Sequence, residues 1–524
     1  MKRMRDLNNF ETRVTLLWFF LFYALVLLCV LLCDHHLIYS LDDAFIHLDV
    51  ARNILHGTYG INAGEPSSPS SSIIWPWLLA ATQLLGLGVT GPLVLNALAA
   101  GATVYVSARL IRTLGLADNA TGAGMTLGIG LLVIFAANAL ALPMTGMEHT
   151  WHVLTVALVI EGLIAASKGT PPNTTFIIAL VAMPLFRFEG MALFLVSVAA
   201  LWLQGYRRAA VTAAVAGFSC LAAYEAFLFH LGLPPLPSSV LLKLDVANDP
   251  HGKKGFLQMI LYNLKASFGS SPGQIYWCFL AYLGFMMFFQ RRNPRLKYVY
   301  LPIICSIMAQ MICERFPGIM NRYTIYIMEM AFLGICFSLS DMTGWSIKER
   351  RFLLFLLGAV PAYTSALTTI YTPAGVHSIY GQQYQMHRFV NDYYHGPVGV
   401  NDLGLVGYKN SHYVLDLWGL GSMDVYRLRR AHAYNAAAID GLVKKHDVRL
   451  VMIFKGWFLH MTPRDWKTVG KLHDIDDAYN NTDVTFYAPP GADRSRIIHA
   501  LRKFEPTLPA GTTFIEDAAY FKGG

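Results

Sequence analysis

The feature that most constrains this chain is a series of apolar runs of membrane-spanning length, recurring from Val14 to about residue 370. A helix needs roughly 20 apolar residues to cross a bilayer core. Only 14% of the residues are charged, where a soluble domain carries roughly 25%, and the deficit lies before residue 370. The sequence therefore predicts an all-α polytopic membrane bundle. Its first span is Val14–Cys33, which is too long for a signal peptide and lacks a small-residue cleavage pattern. Further candidates lie at 73–87, 91–112, 122–142, 147–167, 173–185, 187–204, 208–231, 273–289, 298–314, 322–340 and 350–369.

Charge sets the orientation. Lys2, Arg3 and Arg5 precede the first span, and Arg291, Arg292, Arg295 and Lys297 form the strongest basic cluster, followed by Lys348, Arg350 and Arg351. Positive residues mark the cytoplasmic side. The segment 315–321 and everything after about 370 then face outward. That arrangement requires an odd number of crossings, so one of the twelve candidates is not a crossing. We expect about eleven, with 173–185 and 187–204 as the pair to merge, because Arg187 and Glu189 interrupt what is otherwise one long apolar stretch. All seven cysteines precede residue 340 and no CxxC pair occurs, which argues against structural zinc or a disulfide framework.

After residue 370 histidine, aspartate, tyrosine and glycine become common. Residues 398–420 read as strand, short helix, strand, and DVRLVMIF and DVTFYAP as further strands. DVYRLRRAHAYNAAAIDGLVKKH reads as helix. The expected organisation is a membrane module, 1–369, with outer loops 34–72 and 232–272, and an extracytoplasmic α/β domain, 370–524. In the second loop, FLQMILYNLKASF is amphipathic enough to lie on a membrane surface.

Polar residues recur at the outward ends of the spans. Asp42 and Asp43 are adjacent in the first loop, with His47 and Arg52 following, and one of the two acids is also a candidate cap for a helix beginning near Phe45. A carboxylate held partly out of water at such an edge suits general-base work. Thr145-Gly146-Met147-Glu148-His149, Arg187-Phe188-Glu189-Gly190 and Glu314-Arg315 with Asn321-Arg322-Tyr323 are the other outward clusters. Ionisable groups at membrane depth are functional candidates, and arginine's planar donor fork suits phosphate. The competing reading for Arg187 and Glu189 is an internal ion pair that joins helices. No P-loop, dinucleotide fingerprint, HExxH or GxSxG occurs, and no nucleic-acid module is visible.

The segment Tyr39–Ser72 with the helix after it resembles the first-loop region of the GT-C superfamily of membrane glycosyltransferases, in the branch that includes the mycobacterial terminal arabinofuranosyltransferase. The resemblance rests on Asp42-Asp43, Arg52-Asn53, Gly57, Gly64-Glu65-Pro66, Ser68 to Ser72 and Trp75. It extends through Gly146-Met147-Glu148, Arg187-Phe188-Glu189-Gly190 (with Phe188 where the branch has proline), Asn321-Arg322-Tyr323, Val400 to Gly404 with Gly407-Tyr408, and Asp416 to Leu420.

The resemblance implies transfer of a sugar, D-arabinofuranose in that branch, from a polyprenyl-phosphate donor to a glycan or glycoprotein acceptor on the outer face of a bacterial cytoplasmic membrane. By the same analogy Asp42 is the catalytic base with Asp43 assisting. Arg187, Arg315 and Arg322 would bind the donor phosphate, with Lys243 and Lys253 as further cations. His47, Arg52, Glu148, Glu189 and Tyr323 would support the site. No cofactor or metal ligand set is expected, a divalent cation being left open. The rival readings are a lipid-linked polysaccharide ligase or polymerase, and a membrane transporter.

Overall fold

The structure is a computed structural model that describes residues 9–242, 256–290, 293–313, 319–342, 344–475, 478–479 and 483–522. Its first helix, α1 (Phe10–Leu32), shows what the composition does. Val14, Trp18, Phe22, Leu25 and Cys29 form an inward stripe at helical spacing, while Phe19, Phe20, Tyr23, Leu27 and Leu31 are exposed. An exposed apolar face of that size is costly in water and neutral against lipid tails, where helices associate through close packing instead. Glycines provide that packing: a Cβ on Gly101 would come 2.8 Å from the Trp18 ring, and one on Gly217 would come 2.6 Å from Phe194.

The first loop carries α2 (Asp43–Leu55) and α3 (Trp75–Leu84). The bundle continues with α4 (Gly91–Thr113), α5 (Ala123–Ala136), α6 (His149–Ser167), α7 (Thr174–Phe186) and α8 (Met191–Leu203). It is completed by α9 (Arg207–His230), α10 (Phe256–Phe268), α11 (Ser271–Phe289), α12 (Lys297–Cys313), α13 (Ile325–Ser340) and α14 (Ile347–Gly381). Among the described residues six helices are long and apolar enough to cross a membrane, and five shorter apolar helices accompany them.

Two expectations about the spans change. The segments 173–185 and 187–204 do not merge. The chain breaks at Arg187, which is extended (φ −149°, ψ 131°), one turn after Pro184. Arg187 reaches Ser71 and Glu148 at one end of the bundle, whereas Tyr206, just past α8, donates to Ala166 near the far end of α6 (3.3 Å). α7 and α8 are therefore antiparallel neighbours. The candidate 73–87 holds only a short helix. Its helix α3 has ten residues, about 15 Å, and is tied to the first loop by Gln83 donating to Leu48 O (2.8 Å), with Tyr39 donating to Val89 O (2.6 Å) just beyond it.

α10 leaves Leu257, Leu261 and Phe268 exposed on one side. α14 runs unbroken through residue 370 to Gly381, so the expected boundary at 369/370 falls inside a helix. The outer domain's sheet begins at β1 (Val398–Val400), followed by β2 (Val414–Asp416), β3 (Leu450–Ile453), β4 (Lys467–Asp474), β5 (Asp483–Ala488) and β6 (Thr512–Glu516). The order is β2-β1-β3-β5-β4-β6, with β1 parallel to both β2 and β3 and the remaining pairs antiparallel. The expected helix over 424–446 is two helices, Met423–Arg430 and Ala436–Lys445. The second is capped by the Asn435 side chain, after His432 at φ 52°.

The first loop is the joint between bundle and domain. Asn62 donates to Val414 O (3.0 Å) and accepts from Val414 N (2.9 Å), so the loop pairs with β2. Tyr413 donates to Glu65 (2.8 Å), Tyr479 to Ser40 O (2.7 Å) and Tyr380 to Asp34 (2.8 Å).

Candidate active site

A cavity of about 630 Å³ opens where the first loop, the bundle and the outer domain meet. One part of its wall is charged: Asp42, Asp43, His47, Arg187, Glu189 and Arg322. A second is apolar and comes from the bundle and the loop after α9: Met191, Ala192, Val240, Leu242, Ala309 and Cys313. A third comes from the outer domain: Asn401, Asp402, Leu403, Trp418, Leu420 and Trp457.

The two adjacent acids do different things. Asp42 precedes α2 but does not cap it. Its oxygens instead accept from the backbone N–H groups of Gly404 (2.7 Å) and Leu405 (2.8 Å), at the start of a short outer-domain helix, Gly404–Gly407. Those N–H groups have no partner within their own helix, and a foreign carboxylate supplies one. A side chain on Gly404 would press on Asp42. Burial, then the neighbouring Asp402, pushes the Asp42 carboxyl up from its ordinary range, while the Leu405 and Gly404 N–H groups pull it back. Asp43, one residue on, is about a third exposed and ion-paired with Arg322 (2.8 Å).

Arg322 has donors to spare. Nη2 serves Asp43 and the Tyr323 hydroxyl (2.9 Å). Nε and Nη1 are buried and have no hydrogen-bond partner among the described residues. Arg187 is the opposite case. Nη1 donates to Ser71 (2.6 Å) and Glu148 (2.9 Å), Nε to Glu189 (3.1 Å), and Nη2 also to Glu189. Its guanidinium is 4% exposed and Glu148 is fully buried, so the pair joins α7, α6 and the first loop from inside. His47 adds a second partner to Glu148, at 3.6 Å. The Tyr323 ring lies beneath both guanidiniums, 5.3 Å from Arg187 and 4.9 Å from Arg322.

Arg52 stands apart: it faces Asp49 at 4.0 Å and does not line the cavity. Arg315, Lys243 and Lys253 lie outside the described residues. Asp402 completes the acidic set. It accepts from Gln383 (2.8 Å), and burial, moderated by Gln383 and reinforced by Asp43 and Asp416, pushes it up to about 6.

Asp42 is taken up by backbone N–H groups and Asp43 by Arg322, and among the described residues no group of three or more His, Cys, Asp or Glu could hold a metal ion.

Several residues here were not singled out as site residues from the sequence. Ser71, within the serine run 67–72, is buried and serves Arg187 and Glu148. That whole run is buried, and its signal was six small residues where a loop would normally carry exposed charge. Asn401, Asp402 and Trp418 sat within recognised motifs, but only the fold turns them toward the cavity. Trp457 left no local signal.

A family model described as a domain of unknown function, DUF8728, matches residues 374–487. No curated protein matches the sequence. Among solved structures, the chain is similar to the oligosaccharyltransferase of Archaeoglobus fulgidus. Its apo form is 12% identical with a TM-score of 0.44, over 96% of this chain and 77% of that one. Its complex with zinc and sulfate is 12% identical with a TM-score of 0.45, over 96% and 76%.

Proposed function

We propose that the protein is a GT-C type glycosyltransferase that moves a sugar from a polyprenyl-phosphate donor to an acceptor hydroxyl, with eleven crossings and the cavity on the outer face. The observation that carries this reading is Arg322: a buried guanidinium, paired on one side with Asp43, with two further N–H donors uncommitted among the described residues at a cavity whose adjacent wall is apolar. A lipid-linked phosphate needs that combination of a cationic donor fork and a dry surface for its tail.

In the reaction Asp43 takes the acceptor hydroxyl proton. The acceptor oxygen bonds to the anomeric carbon, the bond from that carbon to the phosphate oxygen breaks, and the polyprenyl phosphate leaves with the electron pair. Arg322 stabilises the charge gathering on that phosphate. Such stabilisation is strongest where water is excluded and the donor is already in place. Asp42 fixes the cap domain and thereby the position of Asp43. Arg187, with Glu148, Glu189, Ser71 and His47, forms the rigid support, its own donors being engaged. The resemblance of the first loop makes D-arabinofuranose the donor sugar to test first.

The test is consumption of radiolabelled polyprenyl-phosphate sugars, arabinofuranose and others, by the full chain in proteoliposomes. One donor is expected to be consumed, with Arg322→Gln lowering turnover at least ~100-fold, the scale of losing one preorganised donor to a developing anion. Uptake of label into the lumen without cleavage would make the protein a transporter and overturn the reading.

A further inference from the structure

The outer domain presents its own binding surface to the cavity. Strands β2, β1 and β3 run parallel, with β1 in the middle. The chain leaves β1 to one side for β2 and returns to the other side for β3, which makes the carboxyl end of β1 a topological switch point. In open sheets of this kind ligands bind in the crevice outside those carboxyl ends. All three ends deliver cavity residues: Asn401 and Asp402 follow β1, Trp418 and Leu420 follow β2, and Trp457 follows β3.

The surface is built rather than incidental. The buried Asp416 carboxylate accepts from Trp418 N (2.8 Å) and Gly421 N (2.7 Å), which fixes the turn that carries Trp418. Arg429 covers one face of the Trp418 ring at 4.5 Å and does not itself line the cavity, which Trp418 does. Trp457 meets Trp418 edge to face (centroids 5.3 Å apart, 62°) and is 41% exposed. Asn401 is 6% exposed; its Oδ1 accepts from Phe454 N (2.9 Å), and its Nδ2 has no partner among the described residues.

We infer that Trp418, Trp457 and Asn401 form an acceptor subsite that takes a sugar ring, so that the acceptor is a glycan rather than a peptide. Indole faces offer a flat apolar surface to the C–H face of a saccharide, and a buried amide N–H with no partner of its own selects an oxygen acceptor such as a ring hydroxyl. The placement separates the two substrates. The donor's tail has the bundle's apolar wall, and the partner that arrives from water meets the half-exposed tryptophan.

This inference rests on the glycosyltransferase reading, and its test is a binding measurement that needs no donor. The full chain in detergent is titrated by calorimetry with arabinan, galactan and mannan hexasaccharides, and with hexapeptides containing Ser, Thr or Asn. At least one hexasaccharide is expected to bind and no peptide. Trp457→Ala should weaken that binding roughly tenfold or more, Trp457→Phe should retain most of it, and Asn401→Asp, which keeps the acceptor to Phe454, should weaken it too. The inference is overturned if no hexasaccharide binds, if peptides bind instead, or if the variants bind saccharide as the parent does. Saccharide binding by a protein that consumes no lipid-linked donor would sink the transfer reading and leave the subsite standing.

Discussion

Replacing Asp42 by alanine separates a structural acid from a chemical one. Both Asp42 oxygens hold backbone N–H groups of the outer domain, at 2.7 and 2.8 Å, in a site 8% exposed. Hydrogen bonds to a charged group contribute ~1.5–3 kcal/mol each, and a buried donor left alone costs ~1–3 kcal/mol. Removing a carboxyl that burial already disfavours returns part of this, so the net loss is about 2–4 kcal/mol. Every 1.4 kcal/mol is a factor of ten. If the loss falls on local opening of the joint, amide exchange at Gly404 and Leu405 should therefore accelerate by roughly 30- to 1000-fold. Hydrogen–deuterium exchange with mass spectrometry on peptides spanning 402–408 reads this directly, with β5 as the internal control. Asp42→Asn keeps one acceptor and should show a smaller acceleration. Unchanged exchange at 404–405 in Asp42→Ala, together with lost donor turnover, would refute the argument and return Asp42 to the chemistry.

Three further outcomes follow from the same geometry. Arg187→Met strands Glu148 and Glu189 and should destabilise the chain by ~3–5 kcal/mol, seen as a lowered unfolding temperature in detergent. Adding Glu148→Gln should recover part of it. Asp49 is 2% exposed, and burial, offset in part by Arg52 and the Lys409 N–H, pushes it up to about 8. Its neutral form suits the fold, so its contribution is complete below about pH 4 and is lost as pH rises towards 8; thermal unfolding scanned over that window should show Asp49→Asn flattening the decline. Gly404→Ala places a Cβ 2.7 Å from Asp42 Oδ2, so it should speed exchange at 404–408 as Asp42→Ala does while leaving exchange in β5 unchanged.

The bundle was readable because lipid-facing helices are apolar all round, and a run such as Val14–Cys33 has no other reading. The strands β1, β2, β3 and β5 were readable from β-branched and aromatic runs. β4 and β6 were not: Lys467–Asp474 mixes charged residues with Val469 and Leu472, and Thr512–Glu516 is a five-residue strand at the edge of the sheet. The shortness of α3 was not readable because apolarity does not report how long a helix is, and the break at Arg187 came without the proline that the resemblance led one to look for at 188. The acids and arginines of the site were visible as polar residues out of place. Their division of labour was not: Asp42 and Asp43 are adjacent in sequence, and only the arrival of Gly404, more than 360 residues later, occupies one and leaves the other beside Arg322.

The most direct measurement is the single-turnover rate of polyprenyl-phosphate release from one labelled donor, with saturating acceptor, in the parent chain and in Asp43→Asn. A loss of ~100- to 10,000-fold is expected in Asp43→Asn, the scale of a positioned general base, with donor binding retained. Release by Asp43→Asn at the parent rate would contradict it.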